Sequence, residues 1–411
     1  MSAPLPPHPP SPGPHSRDNG DGLPARERIG AWFIGARGSV ATTAAVGISA
    51  LGAGLADVTG CVTELPGVAG PDLPLPGDIV IGGHDITAVP LVKRAEELST
   101  AGVLPAHLPR VLAGPLADVE TRLRPGIRHV GAASRREAAD RVEADLRAFQ
   151  AEHRLDRVVV VDLSATEPPA PVDDVFATPA AWERALDGGA AAPPTSSLYA
   201  YAALRAGCSF VAFTPSPSIR LPALTTMARQ MGIPWAGSDA KTGETLVKAA
   251  LAPMFATRAL RVRSWSSVNL LGGGDGATLA DPDNAASKIA SKARGLEAIL
   301  GHPVEGPLHI DHVPHLGDWK TAWDHISFEG FLEVRMNLQF TWSGCDSALA
   351  APLVLDLVRL MSRAHRAGEN GPVGALGFFF KDPAGSDEHR LAAQWDALVA
   401  WRGRHGAEGR A

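Results

Sequence analysis

The chain holds seven lysines, Lys93, Lys241, Lys248, Lys288, Lys292, Lys320 and Lys381, while 31 of its 38 basic side chains are arginine. Arginine keeps its proton inside a protein, whereas a buried lysine can give its proton up and take it back. Positions that retain lysine in so arginine-rich a chain are therefore candidates for proton transfer or for meeting developing negative charge. Five of the seven fall between Lys241 and Lys320. Lys288 and Lys292 are spaced i,i+4, so on a helix their ammonium groups share a face, where like charges cost roughly 0.2–0.5 kcal/mol. An anion between them would turn that cost into a gain, and their mutual repulsion favours the neutral amine. The same spacing equally suits an exposed helix face carrying two solvated lysines.

Small and polar residues surround these lysines. Gly237-Ser-Asp-Ala-Lys-Thr-Gly-Glu-Thr245, Ser267-Val-Asn-Leu-Leu-Gly-Gly-Gly-Asp-Gly276, Ser287-Lys-Ile-Ala-Ser-Lys292 and Leu316-Gly-Asp-Trp-Lys320 follow one another within about a fifth of the chain. Such stretches supply hydroxyls and close-approaching backbone N–H groups. No metal centre is expected. His309, His312 and His315 recur every third residue, which fits neither a strand face nor a helix interrupted by Pro314, and Asp275, Asp281 and Asp283 lack the EF-hand spacing. Asp346-Ser347 opens a helical pattern, so Asp346 is either an N-cap or a site residue.

The elements that must position these groups alternate strand and helix. Ile29–Ile34 is a short apolar run ending in Gly35-Ala-Arg-Gly-Ser-Val-Ala-Thr-Thr43, followed by a small-residue helix over 44–55. Strand, glycine turn and helix is the setting in which backbone N–H groups cradle a pyrophosphate. The G-x-x-G spacing, with Arg37 where a dinucleotide fingerprint has its second glycine, leaves a plain tight turn as the other reading. Further strands are expected at 78–85, 158–163 and 210–213, each ending in a polar turn, with helices over 89–100, 135–153 and 195–206. The pattern predicts an α/β fold: a Rossmann-like doubly wound parallel sheet whose strands open onto one crevice. Between 241 and 344 the pattern changes to strands at 259–269, 309–313 and 333–342 and a helix over 284–300, an inserted mixed α+β domain. A helix over 345–365 and a strand over 375–380 that delivers Lys381 return to the first domain. Residues 1–27 form a Pro/Gly-rich leader expected to be disordered, and the tail from 402 is polar.

Composition bounds the function. With 411 residues, 45% hydrophobic and a net charge of −6, the chain has ample core and no electrostatic footprint for nucleic acid. No apolar run reaches the roughly 18 residues of a membrane span, and no signal segment opens the chain. Cys61, Cys208 and Cys345 are isolated and read as free thiols, which together with the missing signal points to the cytoplasm.

Taken together, Gly35–Thr43, Ile79–Ile86, Ser197-Leu-Tyr-Ala200, Ala236–Thr245, Asn269–Gly276, Ser287–Lys292, Gly317-Asp-Trp-Lys320, Cys345–Pro352 and Phe380-Lys-Asp-Pro383 resemble, in order and spacing, the myo-inositol-1-phosphate synthase family. The resemblance runs from about 28 to 381. It implies an NAD-binding domain over 28–240, a catalytic and tetramerisation domain over 241–344, and a return over 345–401. It further implies net redox-neutral conversion of glucose 6-phosphate to 1L-myo-inositol 1-phosphate. The hydride leaves C5, C6 enolises and attacks the C1 aldehyde, and the hydride returns. By the same resemblance Lys288, Lys320 and Lys381, with Asp318 and Asp346, would be catalytic. Lys292, Thr242, Gly243, Thr245, Asn269 and Leu271 would hold the sugar phosphate. Gly35, Ala36, Arg37, Gly38, Ser39, Val40, Asp85, Ser164, Ala165, Thr166 and Asp239 would hold NAD.

The chain departs from the family pattern at three places: Arg37-Gly-Ser-Val40 in the glycine loop, Glu244 where the phosphate loop has Gln, and Gly273-Gly274 where it has an Asn pair. Arg37 raises the use of NADP. Glu244 raises a different sugar, for example fructose 6-phosphate closing to a five-membered ring. An NAD(P)-dependent sugar-phosphate dehydrogenase and an inactive sensor are the readings outside the family's chemistry, and the retained lysines argue against the sensor.

Overall fold

The computed structural model describes residues 27–128, 134–170, 174–188, 192–273 and 295–407. Lys288 and Lys292, the Asp275–Asp283 cluster and most of the helix expected over 284–300 lie outside the described residues. Glu27, assigned above to the leader, is held by Arg157 Nη1 at 2.8 Å and by Arg366 at 3.3 Å.

Eleven strands among the described residues build two sheets. The first contains β1 (Ile29–Ile34), β2 (Ile79–Asp85), β3 (Leu123–Pro125), β4 (Arg157–Asp162), β5 (Ser209–Ala212), β6 (Pro234–Gly237) and β11 (Gly371–Pro372). Their order is β3-β2-β1-β4-β5-β6-β11, and every pairing is parallel. β1 and the Val158–Val161 run are buried throughout because helices cover both sheet faces, which is why they read as continuous apolar runs. One face packs against the helices Ser39–Gly52 and Asp346–Arg366, the other against Arg135–Glu152 and Thr195–Arg205. The strand order reverses between β1 and β4, and the crevice beyond their C-terminal ends is where such sheets take a ligand.

The second sheet comprises β7 (Arg261–Leu271), β8 (Leu308–His312), β9 (Trp319–Glu329) and β10 (Arg335–Cys345) in the order β10-β9-β7-β8. β7 and β8 run parallel; the β7–β9 and β9–β10 pairs are antiparallel. One face packs through Trp265 and Ile326 on Phe255 of the helix Glu244–Thr257. The other is largely open, as the alternating exposure along β10 records.

Several expectations change. The helix after the glycine turn begins at Ser39 rather than Ala44, because Gly38 already caps it and accepts the first helical hydrogen bond from Thr42 N at 2.9 Å. The segment expected as a strand at 375–380 is a 3-10 helix, Gly374–Phe379. It has to turn tightly to bury Phe379 and set Phe378 edge-on against Trp395, and β11 precedes it. β7 runs on to Leu271. β9, which pairs with two neighbours, was not foreseen.

Candidate active site

The glycine turn sits at the C-terminal end of β1. Gly35 has φ +80°, and a Cβ there would lie 2.9 Å from Leu163 O. Its N–H and that of Ala36 both donate to His84 O, at 2.9 and 3.1 Å, which locks the turn to the end of β2. Gly83, in β2, packs so close that a Cβ would approach Phe33 O to 2.3 Å. Beside the turn lies a groove of about 540 Å³ lined by Gly35, Arg37, Gly38, Asp85, Ser164 and Ala165 among others. A helix N-terminus, room where side chains would intrude and an acidic residue ending β2 are what a dinucleotide needs. The residues present therefore fit NAD. Ala36, Ser39 and Val40 build the turn and first helical turn without lining the groove, and Thr166 lies beside it.

Two of these residues do more than the sequence suggested. Asp85 braces the loop: Oδ2 accepts from Arg37 N at 2.6 Å, and Oδ1 accepts from Thr87 N and Oγ1 at 2.7 and 2.9 Å. The Arg37 guanidinium is turned onto Glu120 and donates to Thr87 O at 3.1 Å, so it is already engaged rather than held out for a 2′-phosphate. Sequence reasoning missed Arg94, Glu167 and Ser196 in the groove wall. Glu167 accepts from Thr195 N at 2.8 Å and Ser196 N at 2.9 Å, capping the Thr195–Arg205 helix.

Three strands along the same sheet edge, roughly 14 Å from β1 at about 4.8 Å per strand, β6 runs into residues 238–243. This loop pairs with a segment more than a hundred residues away. Ser238 N donates to Asp382 O at 2.7 Å, Lys381 N to Asp239 O at 2.8 Å and Lys241 N to Phe379 O at 2.8 Å. The pairing sets Lys381 Nζ 2.8 Å from Asp239 Oδ1. Asp239 thus holds a lysine and does not line the groove at the glycine turn.

Beyond the loop, a cleft of about 390 Å³, counting the part open to solvent, is lined by Thr242, Gly243, Glu244, Thr245, Asn269, Leu271, Ile310, Lys320, Asp346 and Lys381. Six separate segments contribute. Asn269 and Leu271 are two apart on β7 and so share a face. Gly243 caps the Glu244–Thr257 helix and directs its positive end at the cleft. Lys320 is ion-paired with Asp346, which also accepts from Thr242 Oγ1 at 3.1 Å. Asp318 accepts from Ser347 Oγ at 3.4 Å at the margin. Lys320 and Lys381, on different segments, face one cleft with hydroxyls and a helix N-terminus, a site shaped for an anion that must also exchange protons.

Behind the cleft are lysines whose role the sequence did not reveal. Burial pushes the Lys241 amine down to about 7, and it donates to Gln394 Oε1. Among the described residues no group of three or more His, Cys, Asp and Glu is arranged to hold a metal ion.

A family model described as myo-inositol-1-phosphate synthase, an NAD-binding family, matches residues 29–402. The chain belongs to that family. It is 35% identical over 407 residues to inositol-3-phosphate synthase 1 of Bacteroides thetaiotaomicron, covering 92% of this chain and 94% of that one. Trypanosoma brucei brucei inositol-3-phosphate synthase is 30% identical over 315 residues, covering 71% of this chain and 59% of that one. The fold matches the crystal structure of inositol-3-phosphate synthase from Caenorhabditis elegans with a TM-score of 0.82 at 22% identity, over 93% of this chain and 86% of that one. The chain is accordingly an inositol-3-phosphate synthase-like isomerase with NAD as its cofactor. Among the described residues no helix is long and apolar enough to cross a membrane.

Proposed function

We propose that this protein cyclises glucose 6-phosphate to 1L-myo-inositol 1-phosphate in the cleft shared by Lys320 and Lys381. That shared cleft is the observation that carries the reading. Bound NAD supplies the hydride acceptor and, later, the donor. The chain's own residues bind, orient and move protons. Thr242, Gly243 and Thr245, at the N-terminus of the Glu244–Thr257 helix, receive the phosphate, where backbone N–H groups and the helix dipole favour negative charge. Asn269 and Leu271 form the β7 wall along the sugar. Lys320 and Lys381 face the oxygens at C5 and C1, where negative charge develops when the C5 hydroxyl is deprotonated and when the C6 carbon attacks the C1 aldehyde. Each ammonium has a carboxylate partner, Asp346 and Asp239, that fixes its position. By the resemblance, Lys288 joins them, and Lys292 meets the phosphate.

The chain then divides into an NAD-binding part over 28–240, a catalytic and assembly part over 241–344 and a return over 345–401. The open face of the mixed sheet, with Trp323 exposed, and the β9–β10 turn, with Phe331 88% and Leu332 78% exposed, suit assembly into a homotetramer. Three buried free cysteines suit the cytoplasm.

With glucose 6-phosphate and NAD the protein forms a six-membered cyclitol phosphate without accumulating NADH. Lys320→Ala and Lys381→Ala lower turnover by about a thousandfold while NAD affinity stays within a few-fold. Turnover at the wild-type level in either variant overturns the assignment. Steady accumulation of NADH marks a dehydrogenase instead. One observation favours a second sugar: the Glu244 carboxylate lines the cleft where a neutral amide would sit more easily beside a phosphate. Fructose 6-phosphate in the same assay, with the product ring identified, tests it.

A further inference from the structure

The β6 loop and the segment that carries Lys381 form a short antiparallel ribbon outside both sheets, with Ala240 opposite Phe380. Ser238 and Asp382 exchange backbone hydrogen bonds in both directions, at 2.7 and 3.1 Å, and beside them Asp239 meets Lys381. A two-stranded ribbon is marginal by itself, and a slip of one residue turns its side chains to the opposite face. Asp239 also lies in the left-handed region at φ 60°, which local preference disfavours for a residue with a Cβ. The pairing that aims Lys381 into the cleft therefore calls for a clamp from elsewhere in the fold.

Arg220 supplies one. It ends the 3-10 turn Ser218–Arg220, which follows β5 and does not line the cleft. Its Nη1 donates to Ser238 Oγ and its Nη2 to Asp382 Oδ2, both at 2.8 Å. Ser238 precedes Asp239, and Asp382 follows Lys381. The two arms of one guanidinium thus grip both strands of the ribbon next to the Asp239–Lys381 ion pair. The contacts close a ring through Arg220, Ser238, Asp239, Lys381 and Asp382. Ser238 is fully buried, whereas the Arg220 and Asp382 side chains are 39% and 33% exposed. An ion pair so open to solvent adds little to stability. A planar fork across two acceptors fixes how they sit relative to one another, which a single ammonium does not.

We propose that Arg220 is a positioning residue for Lys381: by gripping Ser238 and Asp382 together it holds the ribbon in the register that presents the Lys381 amine to the substrate. The inference rests on the part in turnover proposed above for Lys381. Without the grip the amine strays by on the order of 1 Å, a misplacement that costs catalysis about a hundredfold.

The test is a double-mutant cycle between Arg220 and Lys381, read as turnover of glucose 6-phosphate by the NAD-loaded protein. Arg220→Met lowers kcat by about ten- to a hundredfold. The KM for glucose 6-phosphate and the dissociation constant of NAD stay within a few-fold, and the melting temperature hardly moves. Arg220→Lys, which keeps the charge and one arm, recovers part of the rate. In the Lys381→Ala background Arg220→Met adds no further loss, because the amine it positions is gone. A general loosening of the site would subtract the same factor in both backgrounds. Should Arg220→Met fail to fold, Ser238→Ala removes one arm and shows the same non-additive fall. Wild-type kcat in Arg220→Met, or an equal loss in the two backgrounds, overturns the inference and leaves the proposed function standing. Wild-type turnover by Lys381→Ala removes both.

Discussion

Asp162 ends β4 at the point where the strand order reverses, wholly inside the protein. It accepts from Ser164 N at 3.2 Å and from Ser164 Oγ at 2.5 Å. Desolvation outweighs these hydrogen bonds and pushes the carboxyl up to about 6. A carboxyl that binds its proton more tightly in the folded chain than in the unfolded one adds stability in acid. That stability is present below about 4 and lost as the pH rises through about 6. The loss is worth about 3 kcal/mol at most. Asp162→Asn keeps an oxygen for Ser164 and carries no charge. Its melting temperature should exceed wild type by a few degrees near neutrality and coincide with it in acid, as thermal melts across that range would report. An unchanged gap at every pH would show that the Asp162 charge costs nothing.

At the scale of elements, the cleft depends on how closely the start of the Glu244–Thr257 helix approaches β9. A Cβ on Gly243 would stand 2.8 Å from Lys320 Nζ and 2.9 Å from its Cε. The neighbour is the far end of a flexible side chain, so an alanine Cβ displaces the lysine. Gly243→Ala should therefore cut kcat/KM by about a hundredfold; full activity would mean that Lys320 need not sit there. Which elements could be read from sequence follows the same physics. β1, β2 and β4 are buried on both faces and stand out as apolar runs. β9 hides because Trp319, Thr321, Trp323 and His325 face the open side, while Lys320 and Asp324 break the apolar run of Ala322 and Ile326 on the inner face. β3, β6 and β11 are short and contain proline, which reads as a break. Lys320, Lys381, Thr242, Asn269 and Asp346 were found by residue type and by likeness to a family, whereas which carboxylate pairs with which lysine had to be seen in three dimensions.

At the scale of the whole molecule, the β9–β10 turn is held with Leu332 and Glu333 at φ of 60° and 61°, and it presents Phe331 and Leu332 to the outside. In the proposed homotetramer, replacing both by aspartate should lower the solution mass to one or two chains, measured by light scattering after gel filtration, with the circular dichroism of the fold unchanged. An intact four-chain mass would place the assembly surface elsewhere. The overall architecture was the most legible part, since alternating strands and helices before residue 240 leave few ways to wind a parallel sheet. How the last strand-forming residues rejoin that sheet was not, because a glycine-rich turn replaces the expected strand there. That junction has a consequence for biosynthesis. The β6 loop lacks its backbone partners and its lysine until Phe379 to Asp382, more than a hundred residues further along, have been made. A chain cut between the two would carry β1 to β6 without the Lys381 that the proposed chemistry needs.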